Sequence, residues 1–175
     1  AVYRMNPDGS QLELFAEGLR NPQAMIFTEN GDMFTADNDS DRPDEARLVH
    51  VVEGSESGWR IGYQRSPLAP TEFKGPWSAE KLWVPRFDGQ AAYILPPICN
   101  IEDGPSGVGY YPGTGFDSSF FGQIFGCHFK GAVARSGINT YQVKADGSTY
   151  AIADSKPFLT GELPTDLRFG PDGRM

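Results

Sequence analysis

Six side chains with oxygen donors crowd into nine residues of the chain, and together they could bind a metal ion. They are Asp37, Asn38, Asp39, Asp41, Asp44 and Glu45. Carboxylate and amide oxygens are hard ligands, which suit calcium better than a transition metal. The spacing is not that of an EF-hand, because Arg42 stands where that loop needs glycine and Leu48 where it needs glutamate. A solvated acidic turn is the alternative interpretation.

Two cysteines, Cys99 and Cys127, supply the thiols of the chain. Two are too few for a disulfide scaffold, and the sequence leaves open both a single bridge in an exported protein and two separate buried thiols. The chain contains no Cys-x-x-Cys-His sequence, so it carries no covalently attached haem.

The composition indicates many turns and short strands. The 175 residues include 21 Gly and 14 Pro, and 13% are aromatic; Gly and Pro together average about 12% in ordinary proteins. The net charge of −8 argues against a nucleic-acid partner, because binding to phosphates depends on Lys and Arg. No run of about 18 apolar residues predicts a transmembrane segment, and no signal-peptide pattern opens the sequence.

Short apolar runs alternate with turn sequences along most of the chain. Strands are predicted at 2–5, 12–15, 24–27, 33–36, 47–52, 107–111, 123–129, 138–143, 150–153 and 167–169. The dipeptide Asn30-Gly31 between two of them is typical of a hairpin. The segment 65–97 differs, since it holds six prolines and no regular period. It is predicted to be an irregular insertion, either a functional loop or an inert one.

A weak internal repeat organises these strands. Asp-Gly-Ser at 8–10, Phe-x-x-Gly at 15–18 and Phe-x-x-x-Gly-x-Met at 27–33 occur again, in the same order, at 146–148, 158–161 and 169–175. A repeat of about four short strands is the unit of a β-propeller. The first residues begin within a repeat and Met175 begins a return strand. We therefore expect an all-β chain that forms about half of a propeller.

Several segments, in order, resemble the glucose/sorbosone dehydrogenase family of soluble quinoproteins. Residues 19–25, Leu-Arg-Asn-Pro-Gln-Ala-Met, resemble its Arg-Asn-Pro-Gln-Gly-Leu segment. Residues 36–45 take the place of its acidic loop, and the Gly-Trp and Gly-Tyr pairs of 54–63 resemble its Gly-Trp-Pro-x-x-x-Tyr-Gly element. Residues 105–113 resemble the opening of a later blade. The resemblance covers most of the chain outside 65–97 and is strongest to the propeller domain of planctomycete-type proteins that also carry a cytochrome c module.

The resemblance implies a six-bladed β-propeller, of which residues 1–175 would be one partial domain. It also implies oxidation of a sugar or related alcohol with pyrroloquinoline quinone (PQQ) and calcium, hydride passing to the quinone. Arg20 and Asn21 match the pair that contacts PQQ in the family, and a guanidinium group suits the carboxylates of that cofactor. The alternative is that these residues form only a turn before a strand.

The resemblance also assigns calcium ligands. Asp39 and Ser40 match two positions whose backbone carbonyls hold the PQQ-bound calcium in the family, and Glu45 matches a ligand of a separate structural calcium. The usual Gly-Pro of the family is replaced here by Asp39-Ser40. A calcium held by the Asp side chains, stiffening the loop only, is the alternative.

Lys130 and Arg135 match cations of late blades that contact the PQQ carboxylates, whereas the simpler interpretation makes them solvated surface residues. Asp166 precedes a predicted strand much as Arg20 does, so it either faces the channel or caps a turn. The catalytic His of the family lies in an earlier blade, which would fall before Ala1. We assign His50 and His128 to structure.

Two functions from different classes follow. The first is an oxidoreductase, periplasmic or secreted, that acts on a sugar and passes electrons to a partner such as a cytochrome c module. The second is a non-catalytic propeller that keeps a structural calcium and binds a glycan or a partner protein. A His at the entrance of an earlier inner strand would favour the enzyme.

Overall fold

A computed structural model describes residues 1–39, 45–59, 86–90 and 94–175 of the chain. Within these ranges the regular secondary structure is almost entirely β-strand, with two short 3-10 helices at Ser118–Phe120 and Val133–Arg135. The ten strands are β1 Val2–Arg4, β2 Glu13–Ala16, β3 Pro22–Phe27, β4 Met33–Asp37, β5 Arg47–Val51, β6 Cys99–Asn100, β7 Pro105–Tyr110, β8 Gln123–His128, β9 Gly137–Asp146 and β10 Thr149–Thr160.

The strands form two four-stranded antiparallel sheets and one hairpin. The first blade has the order β3-β4-β5-β6, the second blade has the order β7-β8-β9-β10, and β1 and β2 form the outer hairpin. In each sheet every strand pairs with the next one along the chain. Such a meander is the blade of a β-propeller. The strands that open the two blades, β3 and β7, lie beside one another.

The core lies between the sheets rather than inside any one of them. One buried cluster joins the outer hairpin to the first blade, a second joins the two blades, and a third joins the second blade to residues 165–175. The most buried members of the first cluster are Ala16, Val49 and Val51. Those of the second are Phe34, Leu48, Val108 and Ile124, and those of the third are Tyr111, Phe125 and Cys127. Each apolar sheet face is therefore buried by the neighbouring sheet or segment, as in stacked repeats.

The internal repeat corresponds to equivalent structure. The first copy of Asp-Gly-Ser lies in the turn of the outer hairpin, and the second lies in the turn between β9 and β10. Gly9 and Gly147, which hold the same place in the two turns, have φ of 84° and 60°. This left-handed backbone favours glycine, which explains why the residue occurs in both copies.

Most predicted strands are present, with boundaries shifted by a few residues. The prediction of a strand at 167–169 is wrong, because this segment has no hydrogen-bonded strand beside it within the described ranges. It nevertheless packs as an inner strand would: Leu167 is buried in the third cluster, and the Arg168 guanidinium donates to the carbonyl of Val108 at 3.1 Å. The two-residue strand β6 was not predicted, since its sequence carries no strand pattern.

The two cysteines are free thiols on different faces of the structure. Cys99 packs against the cluster between the blades, whereas Cys127 belongs to the third cluster. Burial raises the pKa of both thiols, that of Cys127 to about 12. Of the two arrangements that the sequence left open, the structure has the unbridged one.

Most of the predicted insertion at 65–97 lies outside the described residues, which include only 86–90 and 94–97 of it. None of the helices in the described part of the chain is long and apolar enough to cross a membrane.

Candidate functional site

Strand register brings the predicted site residues to one edge of the two sheets. In the first blade Pro22 pairs with Asp37, Asp37 with Arg47, and Arg47 with Asn100. The second blade begins five residues after Asn100, so its first strand starts at this same edge. We call it the site edge. Four predicted site residues lie there in the first blade: Arg20, Asn21, Asp39 and Glu45. Three predicted residues of the second blade follow or precede strands that end at the same edge: Lys130, Arg135 and Asp166.

The carboxylate of Asp37 is the centre of the first-blade part of the site edge. The side chain is only 2% exposed. It accepts hydrogen bonds from the backbone N–H of Arg20 at 3.0 Å and from that of Asn21 at 2.8 Å. A buried carboxylate needs such donors, because an uncompensated charge in the interior is costly. The bonds fix the backbone of the Arg20–Asn21 pair, which lies just before β3.

Arg47 supplies the charge that balances Asp37. Its Nε and Nη2 atoms donate to Asp37 Oδ2 at 3.1 and 2.9 Å. Nη2 also donates to the carbonyl of Gly18 at 2.9 Å, and Nη1 donates to the carbonyl of Ser57. The rigid fork of one guanidinium thus joins the end of β4 to two other chain segments.

Residues 57–59, which we call the Gly-Trp element, lie directly against these segments. Trp59 N–H donates to the carbonyl of Gly18 at 2.8 Å, and Ser57 N–H donates to that of Glu17 at 3.0 Å. Gly18 has φ of 79°, and a Cβ there would lie 2.4 Å from the backbone nitrogen of Ser57. Only glycine permits this close approach.

The Arg20 guanidinium lies over the face of the Trp59 ring. Its guanidinium carbon lies 5.7 Å from the centre of the indole ring. No carboxylate of the described residues forms an ion pair with it, in contrast to Arg47. A cation stacked on an aromatic face, with its polar edge available, can bind an anionic group. Asn21 beside it is exposed.

In the acidic loop, the carboxylate of Asp37 is already used within the chain, whereas one oxygen of Asn38 has no partner. Asp37, which the sequence offered as a calcium donor, is occupied by Arg47 and two amides. Asn38 Oδ1 is buried and has no hydrogen-bond partner, and the adjacent Asp39 is 9% exposed. An orphaned buried oxygen beside a buried carboxylate fits a cation site. Ser40, the second predicted calcium ligand, lies outside the described residues, as do Asp41 and Asp44.

Glu45 is exposed and accepts a hydrogen bond from the side-chain amide of Asn100. This contact joins the start of β5 to the end of β6. Within the described ranges, no three His, Cys, Asp or Glu side chains group closely enough to hold a metal ion.

Lys130 and Arg135 lie together on the loop between β8 and β9. Arg135 Nη2 donates to the carbonyl of Lys130 at 3.1 Å, and the Lys130 ammonium forms an ion pair with Glu102. The hydrogen bond from the Lys130 ammonium is the main cause that lowers the pKa of the Glu102 carboxyl. The structure therefore pairs Lys130 with a carboxylate of the chain itself and leaves the Arg135 side chain exposed.

Among the described residues, neither His50 nor His128 has a hydrogen bond, ion pair or ring contact with Arg20. His50 lies between the blades, where it stacks on Phe34 at 5.2 Å and meets Tyr150 edge-on at 5.1 Å. His128 is 8% exposed, and its Nδ1 has no hydrogen-bond partner. Burial is the main cause that lowers the His128 pKa. The assignment of His50 to structure agrees with these contacts.

Asp166 lies at the entrance of the last described segment. It accepts a hydrogen bond from Arg168 at 2.6 Å, and a Cβ on Gly107 would lie 2.6 Å from its Cα. The segment therefore passes directly alongside β7, as an inner strand of a further blade would.

Two solved structures share the fold of this chain. A putative oxidoreductase (glucose dehydrogenase) from Thermus thermophilus matches with a TM-score of 0.60 and 15% identity, over 92% of this chain and 40% of that one. The PQQ-bound form of an aldose sugar dehydrogenase from Streptomyces coelicolor matches with a TM-score of 0.57 and 18% identity, over 95% of this chain and 41% of that one. The fold is part of a β-propeller.

The all-β propeller prediction is thereby confirmed, and the chain spans about two fifths of the length of these two proteins. No protein-family model and no curated protein sequence matches the chain. At these identities the likeness establishes the fold alone.

The sequence pattern does not identify Arg47 as a site residue, because Arg47 is only the first residue of a predicted apolar strand. It also presents Asp37 as a metal ligand, whereas the structure pairs Asp37 with Arg47. An Asp and an Arg ten residues apart, at the two ends of a hairpin loop, were the available signal, because antiparallel pairing can place such residues opposite one another.

Proposed function

We propose that this chain is part of a PQQ- and calcium-dependent dehydrogenase that oxidises a sugar or related alcohol. The single observation that carries the proposal is the Arg20 guanidinium stacked on Trp59 at the site edge, without a carboxylate partner among the described residues. Similarity in fold to a PQQ-bound aldose sugar dehydrogenase and to a putative glucose dehydrogenase supports it.

Arg20 and Asn21 would hold the cofactor. Arg20 offers a planar set of donors that suits a carboxylate, and the exposed Asn21 amide offers both a donor and an acceptor. The stack on Trp59 restricts the guanidinium before any ligand arrives, which lowers the entropy lost on binding. PQQ, when bound, would supply the two-electron acceptor for the oxidation, with calcium as a Lewis acid.

Lys130 and Arg135 are weaker candidates for the same cofactor. The Lys130 ammonium is already paired with Glu102, so it would have to exchange one carboxylate for another. Among the described residues, the exposed Arg135 guanidinium donates only to a backbone carbonyl. We keep both as proposed contacts on the second blade.

Calcium is proposed at the acidic loop. The unpartnered Asn38 Oδ1 and the buried Asp39 are the described oxygens that support it. Ser40 would contribute its carbonyl, and Glu45 would bind a second, structural ion in place of its present bond from Asn100. The occupied Asp37 is excluded from this ligand set.

The second candidate function is a non-catalytic propeller that binds a glycan or a partner protein. It is favoured by the replacement of the family's Gly-Pro by Asp39-Ser40 and by the ion pair that occupies Lys130. For either function we propose a periplasmic or secreted location. A cytochrome c module is the proposed electron acceptor of the enzyme.

The decisive experiment uses the full-length protein. It is reconstituted with calcium and PQQ, and aldoses are titrated against an artificial electron-accepting dye. Dye reduction that requires both additions supports the enzyme. Calcium-dependent thermal stabilisation without any PQQ binding, measured by absorbance titration, supports the binding propeller and contradicts the dehydrogenase.

A further inference from the structure

We propose that Arg47, acting through Asp37 and the Gly-Trp element, is the positioning residue that sets the Arg20 guanidinium in its binding orientation. The inference rests on the proposed function, in which Arg20 binds an anionic group of the cofactor. Neither Arg47 nor Asp37 would touch that group.

The first step of the argument is that Arg47 controls the Arg20 backbone. The two N–H groups of Arg20 and Asn21 both bond Asp37, and Asp37 is held in turn by two bonds from Arg47. The Asp37 side chain is 2% exposed and that of Arg47 is 17% exposed. In such a setting little water can replace a lost partner, so the geometry of the pair determines where the amides point.

The second step is that Arg47 also controls the surface on which Arg20 lies. Its Nη1 bonds the carbonyl of Ser57, two residues before Trp59, and its Nη2 bonds the carbonyl of Gly18, two residues before Arg20. Gly18 in turn accepts the N–H of Trp59 at 2.8 Å. One guanidinium therefore fixes both partners of the Arg20–Trp59 stack.

The third step is that lysine cannot replace Arg47. The four bonds use three nitrogens of a planar fork that reach three separate acceptors. An ammonium group keeps the charge opposite Asp37 but concentrates its donors on one atom. Arg47→Lys should therefore keep the ion pair and the fold while releasing Gly18 or Ser57.

The test compares Arg20→Ala, Arg47→Lys and the double variant in the full-length protein. PQQ affinity is measured by absorbance titration in calcium. We expect Arg20→Ala to weaken binding roughly tenfold to a hundredfold, as for loss of a charge-assisted hydrogen bond. Arg47→Lys should weaken it about tenfold. The double variant should bind within about twofold of Arg20→Ala, because a positioning residue has nothing left to position. Additive losses would overturn the inference.

A second readout is independent of the cofactor. The protein is labelled with 5-fluorotryptophan, and the Trp59 fluorine resonance is assigned with Trp59→Phe. Arg20→Ala should shift this resonance by removing the cation, and Arg47→Lys should shift it in the same direction. If Arg47→Lys is folded and leaves the resonance in place, Arg47 does not position Arg20. Should Arg47→Lys fail to fold, Asp37→Asn takes its place in both measurements.

Arg4 provides the matched control. It bonds the carboxylates of Glu13 and Glu53 and stacks on Phe15 at 5.2 Å, but it lies on the outer hairpin and is half-exposed. Arg4→Lys should change neither PQQ affinity nor the Trp59 resonance. If the wild-type protein binds no PQQ, the proposed function fails, and the Trp59 resonance alone decides whether Arg47 positions Arg20.

Discussion

The two halves of the site edge hold their cationic residues in different ways. Around Arg20, a carboxylate that is 2% exposed is saturated by two amides and one guanidinium. Around Lys130, the partner carboxylate of Glu102 is 48% exposed, and the loop is held otherwise by backbone and hydroxyl hydrogen bonds. A buried, fully paired charge fixes one geometry, whereas an exposed pair exchanges readily with water. For the proposed cofactor site, this difference predicts a fixed binding position on the first blade and an adaptable one on the second.

The largest expected effect is the loss of the buried carboxylate. Asp37→Ala leaves the Arg47 charge without its partner, so we expect the free energy of unfolding of the full-length protein to fall by about 3–5 kcal/mol. Glu102→Ala, the matched change on the second blade, should cost less than about 1 kcal/mol. Both are measured by urea denaturation at pH 7. Equal losses in the two variants would contradict the comparison.

A smaller contrast is expected between two glycines at positive φ. Gly18→Ala places a Cβ 2.4 Å from the backbone nitrogen of Ser57, so strain and overpacking together should cost at least about 2 kcal/mol. A Cβ on Gly131, in the Lys130 loop, meets nothing within 4 Å. Gly131→Ala should therefore cost only about 1 kcal/mol for the left-handed backbone. Thermal melting of the two variants, side by side, checks this order.

The smallest expected effect is the contribution of His128, in the second blade, to the pH dependence of stability. Burial lowers the His128 pKa in the folded state, where the cation of Lys130 opposes its charging and Glu102 favours it. The unfolded chain therefore binds the proton more readily, and the His128 contribution to stability is lost as pH falls below about 6.5. His128→Gln should lose less stability than the wild type between pH 7 and pH 5 in urea titrations. An unchanged pH dependence would show that His128 does not titrate in this range.

The sequence predicted the strands better than the site. Alternating apolar runs and Gly-containing turns located most of the strands, because side-chain period and turn chemistry are local properties. The contacts of Asp37 depend on residues distant in the sequence. Six oxygen donors in nine residues indicate a metal site, but the strand register places Arg47 opposite Asp37, and two backbone N–H groups donate to its carboxylate. A count of oxygen donors in the sequence does not show which of them already accept hydrogen bonds from other parts of the chain.

The Lys130 assignment shows the same difficulty on the second blade. Its match to a cofactor-binding position says nothing about Glu102, which lies 28 residues earlier in the connection between the blades. Only the antiparallel packing of β7 and β8 brings the two together, through the bond from the Phe129 N–H to the Gly104 carbonyl at 2.7 Å.

The pairing of Asp37 with Arg47 also constrains how related sequences can diverge. Either charge alone is costly in the interior, so a substitution that neutralises one member is tolerated only with a compensating change in the other. In an alignment of homologues, positions 37 and 47 should therefore covary, for instance by both becoming uncharged polar residues. Positions 102 and 130 should vary independently, because the side chains of Glu102 and Lys130 are partly exposed to water. Covariation of positions 37 and 47, without covariation of 102 and 130, would indicate that the first-blade part of the site edge is the more rigid one.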